Sequence, residues 1–176
     1  FVDVLNAGSA TIKGVELEGH FAVTSALSLD ATFAHINAEY TNFNSANVQQ
    51  VFGDPQAAGN EAARFPKIQG SFAASYTFDL PSDWSATLRL DESYMGKRWT
   101  DEVNLAYADD YWRTNVRATL NRGPFSGAIY VENLSDDDGL LMVTRFRDLT
   151  APGNNFSFPY LRSEGRKWGV SLRYTF

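Results

Sequence analysis

From Lys67 to Leu80 the chain keeps a strict period of two. Ile68, Gly70, Phe72, Ala74, Tyr76, Phe78 and Leu80 fall on one parity, and Lys67, Gln69, Ser71, Ala73, Ser75, Thr77 and Asp79 on the other. Successive residues of a strand point to opposite faces, so this pattern predicts a strand with one apolar and one polar side, and no helical period competes with it. The pattern recurs. Val15, Leu17, Gly19, Phe21 and Val23 alternate with Glu16, Glu18, His20 and Ala22, and Leu27, Leu29, Ala31 and Phe33 alternate with Ser28, Asp30, Thr32 and Ala34. Trp84, Ala86, Leu88 and Leu90 stand against Ser85, Thr87, Arg89 and Asp91, and Trp112, Thr114, Val116, Ala118 and Leu120 against Arg113, Asn115, Arg117 and Thr119. A sixth strand is predicted over Phe125 to Asn133, with its facing ambiguous, and a seventh ends the chain.

The connections sort by length. Thr24–Ala26, Pro81–Asp83 and Asn121–Pro124 are tight turns built from the residues that supply turn geometry, whereas Thr41–Pro66, Gly96–Asp110 and Leu134 to about Ser163 are long and polar. An up-and-down antiparallel meander with short turns at one end and long loops at the other is the arrangement of a bacterial outer-membrane barrel, whose turns are periplasmic and whose loops are extracellular. A soluble sandwich has no reason to sort its loops in this way. Aromatic residues mark both ends of the apolar face: Phe21, Tyr76, Phe78, Trp84, Tyr174 and Phe176 toward the turns, and Phe33, Tyr94, Trp112 and Trp168 toward the loops. Such girdles are expected where rings sit at headgroup level. The last strand stops on Phe176 with no polar tail, which suits a strand paired on both sides in a closed sheet.

Composition narrows the classes. No run approaches the roughly 18 consecutive apolar residues of a membrane-spanning helix. The net charge of −6 argues against nucleic-acid binding, and the absence of Cys excludes disulfide scaffolds and cysteine zinc sites. No GxSxG, phosphate-binding loop or HExxH is present, so a non-enzymatic role with no catalytic residues is expected.

With the terminal strand, Asn133–Asp136 (NLSD) and Asn6–Gly19 (NAGSATIKGVELEG) in view, the chain resembles the C-terminal part of a TonB-dependent outer-membrane receptor. Members of that family end in a strand of alternating apolar residues with a terminal Phe, here Trp168, Val170, Leu172, Tyr174 and Phe176, which the barrel-assembly machinery reads. They also carry Asn-Leu-x-Asp near the start of the last extracellular loop, and a Gly-Val-Glu strand, here Gly14, Val15 and Glu16, after an Asn-x-Gly turn. The resemblance implies an all-β fold, an antiparallel up-and-down transmembrane β-barrel of roughly 22 strands with a plugged lumen. Residues 1–176 would be its C-terminal segment of about seven strands, with the plug domain and energy-coupling box upstream. The implied function is import of a scarce ligand, an iron-siderophore or similar, across the bacterial outer membrane. The implied partners are outer-membrane lipid and lipopolysaccharide, the receptor's own plug domain, TonB through the missing N-terminal part, the assembly machinery and a small-molecule ligand. No nucleic acid, cofactor or metal is expected. The alternative is a small self-contained barrel with an adhesion or structural role. It needs an even strand count and hence an eighth strand near Phe1–Asn6, a stretch too short to span.

Candidate sites follow from this orientation. Glu16, Glu18, His20, Arg89, Arg113, Arg117 and Arg173 share the polar face and are expected to line the lumen and contact the plug, in preference to binding a metal. In the long loops, Lys97, Arg98 and Trp99 form one basic-aromatic cluster and Arg145, Phe146 and Arg147 another. Arg supplies forked hydrogen bonds to an anionic ligand and Trp a flat stacking face, so Lys97, Arg98, Trp99, Arg145 and Arg147 are the candidate ligand residues. The acidic run Ser135–Gly139 has the look of a calcium loop, but Arg147 stands where an EF-hand needs its bidentate Glu. His35 and Glu92 fall in the apolar phase; for Glu92 a bulge that changes the phase is the alternative.

Overall fold

The computed structural model describes residues 8–148, 150 and 155–176. Seven strands form one antiparallel sheet in chain order: β1 (Gly8–Ala22), β2 (Leu27–Phe43), β3 (Ile68–Leu80), β4 (Trp84–Met95), β5 (Tyr111–Arg122), β6 (Phe125–Glu132) and β7 (Lys167–Tyr174). The sheet is an open arc, because β1 and β7 do not pair with each other. Phe1–Asn6, the stretch an eighth strand would need, lies outside the described residues.

Register joins the apolar parities into one surface. Directly opposite residues of an antiparallel pair share a face, and Leu17 pairs with Phe33, Phe33 with Gly70, Gly70 with Tyr94 and Tyr94 with Trp112. Lower on the sheet, Leu90 pairs with Val116, Val116 with Val131 and Val131 with Trp168. The same register settles β6: Phe125, Gly127, Ile129 and Val131 join the apolar face, while Ser126, Ala128, Tyr130 and Glu132 face the other way. Glu92 stays in phase opposite Phe72 and Thr114, with no bulge, and accepts a 2.6 Å hydrogen bond from Thr114 Oγ1.

This face is uncovered. Leu17 is 63% exposed, Leu172 73% and Trp168 80%. A soluble two-layer fold would bury such residues under a second layer, whereas a membrane barrel leaves them to acyl chains. Among the described residues the clustered apolar core sits elsewhere, in the loops, where Val48, Ala57 and Val103 pack with Phe43 and Val51.

The turns confirm the short end. In the β5–β6 turn, Gly123 holds φ +50° ahead of Pro124, since strand pairing continues to Arg122 and Phe125. That is the left-handed conformation which Gly supplies at the start of a tight hairpin turn. In the β1–β2 turn the Thr24 hydroxyl accepts from the amides of Ala26 and Leu27.

The β1–β2 hairpin is longer than its alternation predicts. β3 stops pairing at Ile68 opposite His35, but β2 continues with β1 to Phe43 while its other edge bonds to its own loop, through the Glu39–Glu61 bridge and the Ala62 amide on Ala38 O. Beyond His35 the polarity of the two faces inverts: Asn37, Glu39 and Thr41 occupy the parity of Phe33, and Ile36, Ala38 and Tyr40 the other. The hairpin has left the apolar layer and now packs inward against its own loop, with Ala38 only 4% exposed.

Candidate functional site

The three long loops form one folded cap. A short helix, α1 (Ala46–Phe52), lies in the β2–β3 loop; Ser45 caps it by accepting from the Asn47 and Val48 amides, and Gly53 closes it at φ +80°. The Ser45 hydroxyl also donates at 2.6 Å to the Glu102 carboxylate in the β4–β5 loop, and Asn47 Nδ2 donates to the same oxygen at 2.9 Å. Burial pushes the Glu102 carboxyl up. The hydrogen bonds from Ser45, Asn47 and its own backbone, with Arg145 nearby, outweigh that and hold it below the usual carboxylate value. Asn60 Nδ2 donates to Glu102 O, and the Glu61 amide donates to Asn104 Oδ1, so the two loops are stitched side by side.

The β6–β7 loop is bound to this pair. Arg98 donates from Nη1 to Gly96 O at 3.0 Å and from Nη2 to Leu140 O at 2.7 Å, and its guanidinium lies over Tyr111. Short ladders organise the loops: Arg98–Trp99 with Tyr107–Ala108, Leu140–Val143 with Tyr160–Arg162, and Phe146–Arg147 with Phe156–Ser157. At the root of the last loop, Asn133 is 1% exposed and left-handed at φ 51°. Its Nδ2 donates to Asp137 O and Glu164 O, tying together the two ends of that loop. The acidic run beside it caps backbone: Asp136 accepts from the Arg166 amide, Asp137 from the Gly139 amide, and Asp138 pairs with Arg162. Among the described residues no group of three acidic or His side chains is placed to hold a metal.

The five loop residues singled out from sequence occupy different positions. Lys97 Nζ lies 4.1 Å from the Trp99 ring centre and 4.8 Å from that of Tyr107, and those two rings meet edge to face. Arg98 is committed to loop carbonyls. Arg145 donates from Nε to Asp101 at 2.5 Å, lies over Phe156 and keeps a side chain only 6% exposed. Arg145 and Arg147 line a cavity of about 340 Å³ between the three loops, with Arg64, Thr100, Asp101 and Phe156. Trp99 lines a smaller neighbouring cavity of about 210 Å³ that shares Arg64 and Thr100. Arg64 and Thr100 carry no signal of their own in the sequence, since Arg64 stands apart from the basic-aromatic clusters, Thr100 is a neutral residue at the end of one, and only tertiary packing brings the two together.

On the polar face of the sheet, His20 meets Asp30 at 2.6 Å. Arg89 grips Asp91 through Nε and Nη2 and donates to the Ser75 hydroxyl. Arg117 sits directly opposite Arg89 and stacks over Tyr130. Glu16 pairs with Ala34 and Glu18 with Thr32, so this carboxylate row on β1 is separated by β2 and β3 from Arg89 on β4; Arg113 pairs with Ser93 and Arg173 with Ser126 on the same face.

Comparison with known proteins agrees with this architecture. A family model described as TonB dependent receptor-like, beta-barrel, matches residues 3–134. The ferrichrome outer membrane transporter/phage receptor of Escherichia coli (strain K12) is 29% identical over 138 residues, which cover 75% of this chain and 17% of that protein. Among solved structures, the ferric yersiniabactin uptake receptor FyuA from Yersinia pestis superposes with a TM-score of 0.79 at 21% identity, over 97% of this chain and 24% of its own. The siderophore receptor PiuA from Acinetobacter baumannii gives 0.76 at 20% identity, over 96% and 22%. At these identities the structures show the shared fold, and the chain spans under a quarter of each relative's length. With the family model covering well over half of the sequence, the chain belongs to the TonB-dependent receptor-like β-barrel family of the bacterial outer membrane.

Proposed function

We propose that this chain is the C-terminal barrel segment of an importer that takes a scarce ligand, a ferric siderophore or similar chelate, across the outer membrane. The observation that carries the reading is the division of labour within one sheet: an uncovered apolar face, a charged opposite face, and a folded basic-aromatic cap at one end only. Lys97, Arg98, Trp99, Arg145 and Arg147 belong to that cap, where Arg145 and Arg147 offer guanidinium groups to an anionic chelate and Lys97 and Trp99 form a cationic-aromatic shelf beside it. Glu16, Glu18, His20, Arg89, Arg113, Arg117 and Arg173 line the lumen, where they meet a plug domain encoded elsewhere in the protein. Trp168, Val170, Leu172, Tyr174 and Phe176 form the strand read by the assembly machinery, with TonB acting through the plug. The names of the relatives support a siderophore as cargo.

The test is uptake. The full-length receptor, expressed in a strain lacking its other iron receptors, is expected to accumulate labelled iron from at least one ferric chelate only while the inner membrane is energised. Uptake that persists after de-energisation, or an absence of uptake with every chelate class including carboxylate, catecholate and hydroxamate, refutes import.

A further inference from the structure

Register lines up one row of side chains across five strands at the short-turn end of the apolar face. Leu80 pairs with Trp84, Arg122 with Phe125 and Phe125 with Tyr174, and the Arg122 guanidinium lies over the Trp84 ring, 5.6 Å from its centre. Trp84 and Phe125 meet edge to face at 6.0 Å, and Tyr174, 59% exposed, brings a hydroxyl to the same level. Arg122 therefore stands on the apolar side of the sheet, whereas Arg89, Arg113, Arg117 and Arg173 stand on the opposite side. It is exposed, no acidic residue shares its row, and among the described residues no oxygen accepts from its guanidinium.

A guanidinium carries five donors, and stacking on one ring leaves them unused. In an outer-membrane barrel the short turns are periplasmic and an aromatic girdle sits at headgroup level, so these donors lie where lipid phosphates lie. Their fork matches the oxygens of a phosphodiester. With no carboxylate in the row, a zwitterionic lipid would find no acceptor there for its ammonium group, so the charge favours a lipid that is negative overall. Room for a tail adjoins the row. Leu120, Ala118 and Val116 continue the face of Arg122 along β5, and Ala118, with Leu88, Ile129 and Val170, lines an apolar concavity of about 760 Å³.

We propose that Trp84, Arg122, Phe125 and Tyr174 form a binding site for one anionic glycerophospholipid of the periplasmic leaflet, its phosphate held by Arg122 and an acyl chain lying in the adjoining concavity. Trp84 orients the guanidinium. The site rests on the outer-membrane placement of the sheet and is independent of what the receptor imports.

The test is fluorescence of the full-length receptor retaining Trp84 as its one tryptophan, in phosphatidylcholine vesicles at low ionic strength. A fixed fraction of lipid, brominated on the acyl chain near its carbonyl end, is supplied either as phosphatidylglycerol or as phosphatidylethanolamine, and the ratio of the two quenching strengths is read. Phosphatidylglycerol is expected to associate about fivefold more strongly. Arg122→Gln is expected to abolish the preference, and Arg122→Lys, which keeps the charge but not the fork, to retain part of it. Arg166→Gln removes an equal charge just before β7, at its loop end, and is expected to leave the preference unchanged. A preference that survives in Arg122→Gln, or that Arg166→Gln removes as completely, overturns the site. Equal quenching of the wild type by both lipids also removes the site but keeps the face in lipid. Quenching by neither means that protein covers this face, and the lipid-facing reading falls together with the site. Native mass spectrometry of the receptor with all its tryptophans is the second measurement: a phosphatidylglycerol adduct that survives detergent removal is expected in the wild type and not in Arg122→Gln, and equal retention in both overturns the site. Iron uptake decides import whichever way the lipids divide.

Discussion

Glu102 shows how a single side chain can hold a membrane receptor's outer surface in shape. Its carboxylate accepts from two residues at the start of α1 while its own carbonyl accepts from Asn60, so one residue clamps the β2–β3 loop against the β4–β5 loop. Because its carboxyl titrates below the usual value when folded, the clamp contributes stability that is fully present above the unfolded value of 4.5 and is lost as pH falls through the lower, folded value. Glu102→Gln keeps the shape but replaces a charged acceptor with a neutral one, and is expected to cost the loop about 1–3 kcal/mol. Hydrogen exchange checks both effects: amides of Ala46–Phe52 in the full-length receptor should exchange faster in the variant at neutral pH, and in the wild type they should lose protection below pH 4.5. Exchange from α1 that is identical in wild type and variant at neutral pH would show that the clamp is not what orders the helix.

At the scale of the strands, the sequence was readable wherever one rule governed both faces. Ile68–Leu80 crosses the apolar layer from end to end, so its parity is unbroken and its bounds were evident. β2 was legible only to Phe33, because beyond His35 the outer face meets water and the inner face meets a packed loop, which reverses the apolar parity without ending the strand. β6 was ambiguous for a different reason: Gly127 and Ala128 put small residues on adjacent parities, and only pairing with β5 and β7 fixes which side Ile129 takes. The loop cap was the least legible. α1 is seven residues long and its stability comes from Val103 and Glu102, which are distant in sequence, so local pattern carries little of it. The facing of the strands predicts a sharp contrast on β7. Val170→Arg places a charge on the apolar face near mid-strand, where it is expected to cost about 2–4 kcal/mol, while Ser171→Arg on the opposite face should cost far less. Urea-dependent folding of the full-length receptor into lipid vesicles measures both, and equal costs would contradict the assignment of the two faces.

At the scale of the molecule, the arc of seven strands explains why its chemistry is confined to one end. On the apolar face the sheet offers only a concavity lined by apolar side chains such as Leu88, Val116 and Ile129, whereas a charged cavity lies among the loops that stand clear of it. The loops in turn need a core of their own, and the cluster of Val48, Ala57 and Val103 supplies it. The four tryptophans report on both regions at once. Trp84, Trp112 and Trp168 lie on the apolar face in register with Leu80, Tyr94 and Val131, whereas Trp99 is packed in the cap against Tyr107 and Lys97. In the full-length receptor reduced to one tryptophan at a time, lipids brominated along the acyl chain should quench Trp84, Trp112 and Trp168 and spare Trp99. Acrylamide in the aqueous phase should show the opposite order for Trp168 relative to an exposed loop tryptophan introduced at Phe146, which is 60% exposed. Bromolipids that leave Trp168 undimmed would mean that protein, not lipid, covers this face, and the separation of membrane layer from loop cap would fall with it.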